Sequence, residues 1–469
     1  MIAKTPRPSR VLVVGAGVSG CAAAIRLAHH GHEVTLAERA EFPREKICGC
    51  CLGAAGMHAL DAIGVGDPIR DLGESTHAFI AYLQTDRSRR GRHAEDANAL
   101  PVRLPIAPGV AISRSTLDSL LVERAERLGV RVWQPCEVQV IQSSTRSVLL
   151  RYRHRSNGGL ALKEEPSTAL EETRVEYRHG GSERGNEWHL TDEFDLVVLA
   201  TGLTGVFSAT KSFEDPDEVS LQTRRWMLPW IDPPHGPLGI AAHLRPDDPL
   251  AKKLSLPSGE IHMVCGDDGY VGLVRLPNGV IDIAAALRSQ RQRRDASDRG
   301  ALKPNQNPSL VDRLAGLLSR HPLMSSDQGD GDAVMKSLEQ WLNERATRMT
   351  APPLRRRRVP GDGRVVAIGD CAGYVEPMTG EGMTWGIESG IAMADLWNQR
   401  SDPDHFALEW THALKTLQPK RRRLCGGITW AMRSEVMRRV TLSSLRHAPW
   451  IAKPITAGLA CGPEFEPTQ

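Results

Sequence analysis

The sequence predicts an α/β fold: a doubly wound, Rossmann-like sheet assembled from discontinuous segments, a second domain with a mixed sheet, and helices toward the C-terminal end. Three observations predict it. Short apolar runs next to glycine recur as VLVV after Arg10, EVTLAE ending at Glu38, DLVVLATG (Asp195 to Gly202) and RVVAIGD (Arg364 to Asp370), as buried parallel strands do. Between them, CAAAIRLAHH with Gly31 behind it and SRSTLDSLLVERAERLG, with Leu117, Leu120, Leu121 and Leu128 at helical spacing, read as crossover helices. Gly266 to Leu287, GDDGYVGLVRLPNGVIDIAAAL, reads as a hairpin turning at Pro277-Asn278-Gly279.

Each strand is too short to fold alone, so four strands spread over 370 residues of chain must share one sheet. This gives segments 1–75, 109–204 and 355–400 to the first domain, 76–108 and 205–354 to the second, and 401–469 to a C-terminal helical region. The polar stretches Thr85 to Asn98, His154 to Glu187 and Arg288 to Asn307 read as mobile surface insertions without catalytic duty.

Composition narrows the class. The 469 residues are 41% hydrophobic with 43 glycines and 25% charged, which excludes fibrous, collagenous and wholly disordered chains. Net charge is +3, too near balance for nucleic-acid binding by the whole molecule. From Ala413 to Lys453, however, ten basic residues meet one acid, Glu435. Such a basic stretch, carrying Trp430, Met432, Met437 and Trp450, reads either as ordinary solvated helices or as a peripheral membrane contact receiving a lipophilic substrate. The opening MIAKTPRPSR lacks an apolar signal region, and no run reaches the roughly 18 apolar residues of a membrane span. A cytoplasmic location is the expectation. Nine cysteines without paired CxxC motifs indicate neither a disulfide framework nor a zinc ribbon, and no metal site is expected.

Chemistry enters at Gly15-Ala16-Gly17-Val18-Ser19-Gly20, a GxGxxG turn after a strand and before a helix. Glycine there permits the tight turn and lets backbone approach a pyrophosphate at the helix N-terminus. Glu38, 18 residues after Gly20 at the end of the next strand, is placed to accept from an adenosine ribose 2′-hydroxyl. These features alone leave FAD and NAD equally open, since both carry adenosine diphosphate, and a purely NAD-sensing protein is the non-enzymatic alternative.

A second glycine-rich site reads Gly369-Asp370-Cys371-Ala372-Gly373, then Pro377-Met378-Thr379-Gly380-Glu381-Gly382, then a helix from about Met383 to Leu396. With the KICG segment (Lys46 to Gly49), Arg114 and DLVVLATG, it resembles the flavoprotein monooxygenases of the para-hydroxybenzoate hydroxylase fold and their relatives, the geranylgeranyl reductases and flavin-dependent halogenases. The resemblance implies FAD, with NAD(P)H as a transient electron donor. It implies that Asp370 binds a ribityl or pyrophosphate-side hydroxyl, that Gly380, Gly382 and Met383 offer N–H groups to the flavin pyrimidine end, and that Arg114, Val138, Cys48 and Gly49 lie along the cofactor. A helix N-terminus suits the negative charge of reduced flavin.

Cys48 and Tyr270 are the candidate catalytic residues. Each has a packing role as its alternative, and Cys50 and Cys51 depart from the small residues usual after CG. Trp226 and Trp230 stand four apart, unlike the halogenase WxWxIP pattern, and read as core or as a stacking wall in the second domain. The implied activity is hydroxylation of an aromatic or unsaturated small molecule through a peroxyflavin. The alternatives are reduction of isoprenoid double bonds, as KICG suggests, and hydroxylation of a partner-protein tryptophan in quinone-cofactor maturation.

Overall fold

The computed structural model describes residues 8–83, 101–154, 187–203, 228–254, 256–289, 308–319, 321, 331–344, 347–374, 378–400, 402–417 and 419–468. The three insertions lie almost wholly outside the described residues, as does Trp226. The helices that position the site are α1 (Val18–His29), α2 (Arg114–Arg127), α3 (Leu310–Leu318), α4 (Gly331–Glu344), α5 (Gly382–Gln399), α6 (Phe406–Thr416), α7 (Pro419–Arg433), α8 (Glu435–His447) and α9 (Lys453–Ala460).

The four apolar runs do share one sheet. Its order is Gly361–Asp362, Val365–Ala367, Leu196–Leu199, Arg10–Val14, Glu33–Ala37 and Arg131–Trp133, parallel except for the first pair. Both faces are covered, which is why the strands are apolar throughout rather than alternating. The α/β class expected from the sequence is therefore present. α1 covers one face and crosses α5 closely, because a Cβ at Gly386 would lie 2.4 Å from Ser19 Oγ and one at Gly390 2.5 Å from the Ser19 carbonyl. α2 starts at Ser113, whose side chain accepts from Thr116 N–H.

The second sheet has eight strands in the order Thr347–Ala351, Leu238–Leu244, Ile281–Leu287, Gly269–Arg275, Glu260–Gly266, Glu74–Leu83, Val102–Ala111 and Cys51–Leu52. It is antiparallel except between Glu260–Gly266 and Glu74–Leu83. The predicted hairpin is its centre, and Gly279 at φ +77° makes the turn. Alternation sorts the two faces. Ile80, Val264, Val271 and Ile283 pack with Leu314, Leu318, Leu338 and Trp341 of α3 and α4. The other face carries small residues such as Ala81, Gly272, Ala284 and Ala286, which leave space beneath the first sheet.

The C-terminal helices close that space. α6 is anchored by Trp410 Nε1 donating to the Ala367 carbonyl at 2.9 Å. α7 to α9 then pass over the open side of the small-residue face. No helix among the described residues is long and apolar enough to cross a membrane.

Candidate functional site

The site is one cavity of about 900 Å³ that joins the glycine turn, the KICG segment, the start of α5, the small-residue sheet face and the inner faces of α7 to α9. Of the residues expected at the site, Gly17, Cys48, Gly49, Arg114, Tyr270, Asp370, Gly380, Gly382 and Met383 line it. Gly15, Ala16, Gly20, Glu38 and Val138 stand behind the wall: the glycines form the turn, and Val138 is buried on the strand Cys136–Ser143. Trp230 is elsewhere, under the Arg358 guanidinium, which lies 3.5 Å from its ring centroid.

The glycine turn is built for backbone approach. Gly15 adopts φ +105°, and a Cβ on Gly20 would meet the Gly15 carbonyl oxygen at 1.9 Å. Gly17 is different: a Cβ there would find only cationic tips, Lys46 Nζ at 3.5 Å, Arg114 Nη2 at 3.6 Å and Arg44 Nη2 at 4.0 Å. Three cations thus converge on the N-terminus of α1, whose cap has no side-chain partner. That donor set matches a diphosphate. Two of them, Arg44 and Lys46, were not singled out by sequence reasoning, although Lys46 opens the KICG segment and Arg44 stands two residues before it; the cue was two cations within four residues of a cysteine turn.

Acids hold these cations in place. Asp118, fully buried one turn into α2, accepts from Arg114 Nε at 3.0 Å and Nη2 at 2.8 Å, with Arg44 Nη1 3.3 Å away. Glu38 accepts from Ala16 N–H at 3.0 Å and from Arg44 at 3.1 Å, so the carboxylate expected to accept from a ribose hydroxyl braces the turn. Burial pulls the Lys46 ammonium below its ordinary value, and Arg114 adds to this while Asp118 and Asp370 oppose it. Burial likewise raises the Asp370 carboxyl to about 6 against the opposing fields of Lys46, Arg114 and Arg356.

At the far end of the cradle, Gly380 at φ +73° turns the chain into α5, whose first turn lacks a side-chain cap and lines the cavity. Glu381 in this loop and Glu388 two helical turns further are both bound by Arg421 of α7. Cys48 Sγ lies 3.5 Å from Met383 Sδ. Its thiol is lowered to about 7, chiefly by a hydrogen bond from Cys50 and then by the Arg114 field, against the cost of burial. Behind it, Cys50 takes φ +48° and packs with Asp282 and His243, whose ligating atoms lie within 4.8 Å of one another. His243 Nε2 is 3.1 Å from Asp282 Oδ1. Sequence reasoning missed both partners, which lie on strands remote from the cysteines.

The cradle therefore offers a glycine turn, a triple cation site, a carboxylate for hydroxyls and a bare helix N-terminus along one wall, the set that FAD requires. The family model described as the FAD binding domain matches residues 9–161. Solved structures share the whole architecture. A flavoprotein/dehydrogenase from Cytophaga hutchinsonii superposes with a TM-score of 0.62 at 14% identity over 97% of this chain and 93% of its own. HpxO from Klebsiella pneumoniae, complexed with FAD, does so with a TM-score of 0.58 at 14% identity over 97% and 99%. The chain carries an FAD-binding domain and shares its fold over nearly its whole length with these flavoproteins.

Among sequence relatives of this flavoprotein, menaquinone reductase of Mycobacterium tuberculosis is 24% identical over 83% of the chain and 76% of its own length. Kynurenine 3-monooxygenase of Salinispora arenicola is 46% identical, but over only 13% of the chain and 14% of its own. The long match is thus to a protein named a reductase and the short match to one named a monooxygenase.

Proposed function

We propose that this flavoprotein reduces a double bond in a long, apolar, prenyl-type substrate. The shape and lining of the cavity carry this reading. Beyond the cofactor cradle it continues between the Ala- and Gly-rich sheet face and α7 to α9, where Leu424, Ile428, Leu442, Leu445, Ile455 and Leu459 form the walls. Such a passage holds an extended hydrocarbon chain and offers few partners to a polar ring. Similarity to menaquinone reductase over most of the chain supports the same reading.

The cradle residues would hold FAD, which when reduced would supply the two electrons that a double bond takes up. NAD(P)H is the proposed donor, visiting transiently, since the single GxGxxG turn would be taken by FAD. The chain's own residues do the rest. Arg44, Lys46 and Arg114 would hold the cofactor's diphosphate, and the apolar passage would orient the acceptor and exclude water. Cys48, on the cavity wall with a thiol near neutrality, holds a proton at Sγ that a saturating double bond needs on its second carbon. Tyr270, also on the wall, contacts the acceptor from the sheet side.

A second reading, hydroxylation of an aromatic or unsaturated small molecule, is favoured by the short match to kynurenine 3-monooxygenase around the cofactor. One experiment separates them. The protein is reduced without oxygen and mixed with a prenylated acceptor such as geranylgeraniol. Flavin reoxidation with a product heavier by two hydrogens supports the reductase. No anaerobic reoxidation, with incorporation of an oxygen atom once air is admitted, overturns it in favour of hydroxylation.

A further inference from the structure

We propose that the outward face of α7, α8 and the turn Pro449–Ala452 docks on an anionic lipid bilayer, with the mouth of the cavity against the headgroups. Of nine exposed large hydrophobic side chains among the described residues, five fall between Trp430 and Ile451. Trp430 is 65% exposed, Trp450 67%, Val436 69%, Val440 54% and Ile451 40%. Val436 and Val440 are one helical turn apart, so they present one stripe. Tryptophan with aliphatic neighbours and cations is the composition of a surface that sits at the headgroup boundary.

The same elements form the cavity's rim. Arg423 and Gly427 are exposed yet belong to its wall, and with Trp430 they follow one face of α7 at positions i, i+4 and i+7. On the other side, Ala452 lines the cavity directly after the exposed Trp450 and Ile451. The cavity thus reaches the surface where the tryptophans are.

Charge selects the partner. Part of the basic run is already paired: the buried Arg421 with Glu381 and Glu388 and the buried Arg438 with Asp267, while Arg439 pairs with Glu435 at the surface of α8. Lys420 and Arg423 are exposed on α7, and Lys453 is exposed directly after the turn Pro449–Ala452. A second copy of the chain would bring two such basic faces together, whereas an anionic leaflet neutralises one. The proposal extends the reading of a lipophilic substrate, but its test involves no turnover, so the two fail separately.

The test is co-flotation of the FAD-loaded full chain with phosphatidylcholine vesicles containing phosphatidylglycerol, against phosphatidylcholine alone, together with quenching of tryptophan fluorescence by brominated lipid. The wild type is expected to float with the anionic vesicles and to be quenched. Trp430→Ser/Trp450→Ser should bind roughly tenfold or more weakly while retaining flavin and its melting temperature. Lys420→Glu/Lys453→Glu should lose the preference for phosphatidylglycerol. Leu408→Ser, on α6 and 70% exposed, is the control that should bind like wild type. Failure of the folded wild type to float, flotation of the double tryptophan variant equal to wild type, or a dimer whose tryptophans are shielded from a soluble quencher each overturns the proposal.

Discussion

Arg421 of α7 donates to Glu388 of α5 at 2.8 Å and binds Glu381 with its other nitrogen, which ties the cap of the cavity to the helix that opens on the cofactor. All three side chains are nearly inaccessible, at 5% for Arg421, 6% for Glu381 and 0% for Glu388. Arg421→Met leaves two buried carboxylates without their cation. We expect a loss of about 3–5 kcal/mol by denaturant titration, with flavin released before the global transition. Adding Glu388→Gln should recover part of it.

Two of the turn's three glycines, Gly17 and Gly20, separate folding from cofactor binding. Gly20→Ala drives a Cβ into the Gly15 carbonyl and should lower thermal stability even in the apoprotein. Gly17→Ala meets only side-chain tips at 3.5 Å or more, so the apoprotein should melt like wild type while FAD affinity falls by an order of magnitude or more, read by flavin titration.

Asp370 makes FAD binding depend on pH. Its carboxyl is raised from 3.8 to about 6, so the ionised form costs the apoprotein stability that is lost as pH rises through this window. Hydroxyl donors from the cofactor favour the ionised form. FAD retention measured by equilibrium dialysis should therefore weaken as pH falls through 6. Asp370→Asn should bind FAD about 10-fold or more weakly and show a flat profile there.

Cys48 reports on its neighbours through its acidity. The thiol is lowered from 9.0 to about 7, so its contribution to stability is complete above 9 and disappears as pH falls through 7. Alkylation of Cys48 by iodoacetamide, followed by peptide mass spectrometry, should show a midpoint near 7. The groups facing it are Cys50, Arg114 and Asp282. Cys50→Ala removes the donor and should move the midpoint upward. Asp282→Asn removes a negative field and should move it downward.

Much of the fold was legible because strands buried on both faces must be short, apolar and glycine-bounded, and no other element gives that pattern four times with the right turns. The glycine turn and the Asp370 loop were legible for the same reason, since backbone approach to a ligand restricts residue type. Partnership was not. Arg421 and Glu381 are 40 positions apart, and Cys50 meets an aspartate on a strand more than 200 residues away. Helical spacing says which side of α7 is inward but not which carboxylate waits there. The cavity was invisible for a related reason: alternating small residues on one sheet face look like any tightly packed sheet until the helices that stand off from it are in place.

The cofactor sheet also orders events in time. Its strand Arg10–Val14 is bordered by Leu196–Leu199, which in turn needs Val365–Ala367, and the loop carrying Asp370 hangs from that last strand. A nascent chain therefore exposes the first βαβ unit through most of its synthesis without a complete cradle. Flavin can be captured only near the end of translation, so its fluorescence in a stalled-ribosome series would mark the moment at which the first and last thirds of the chain meet.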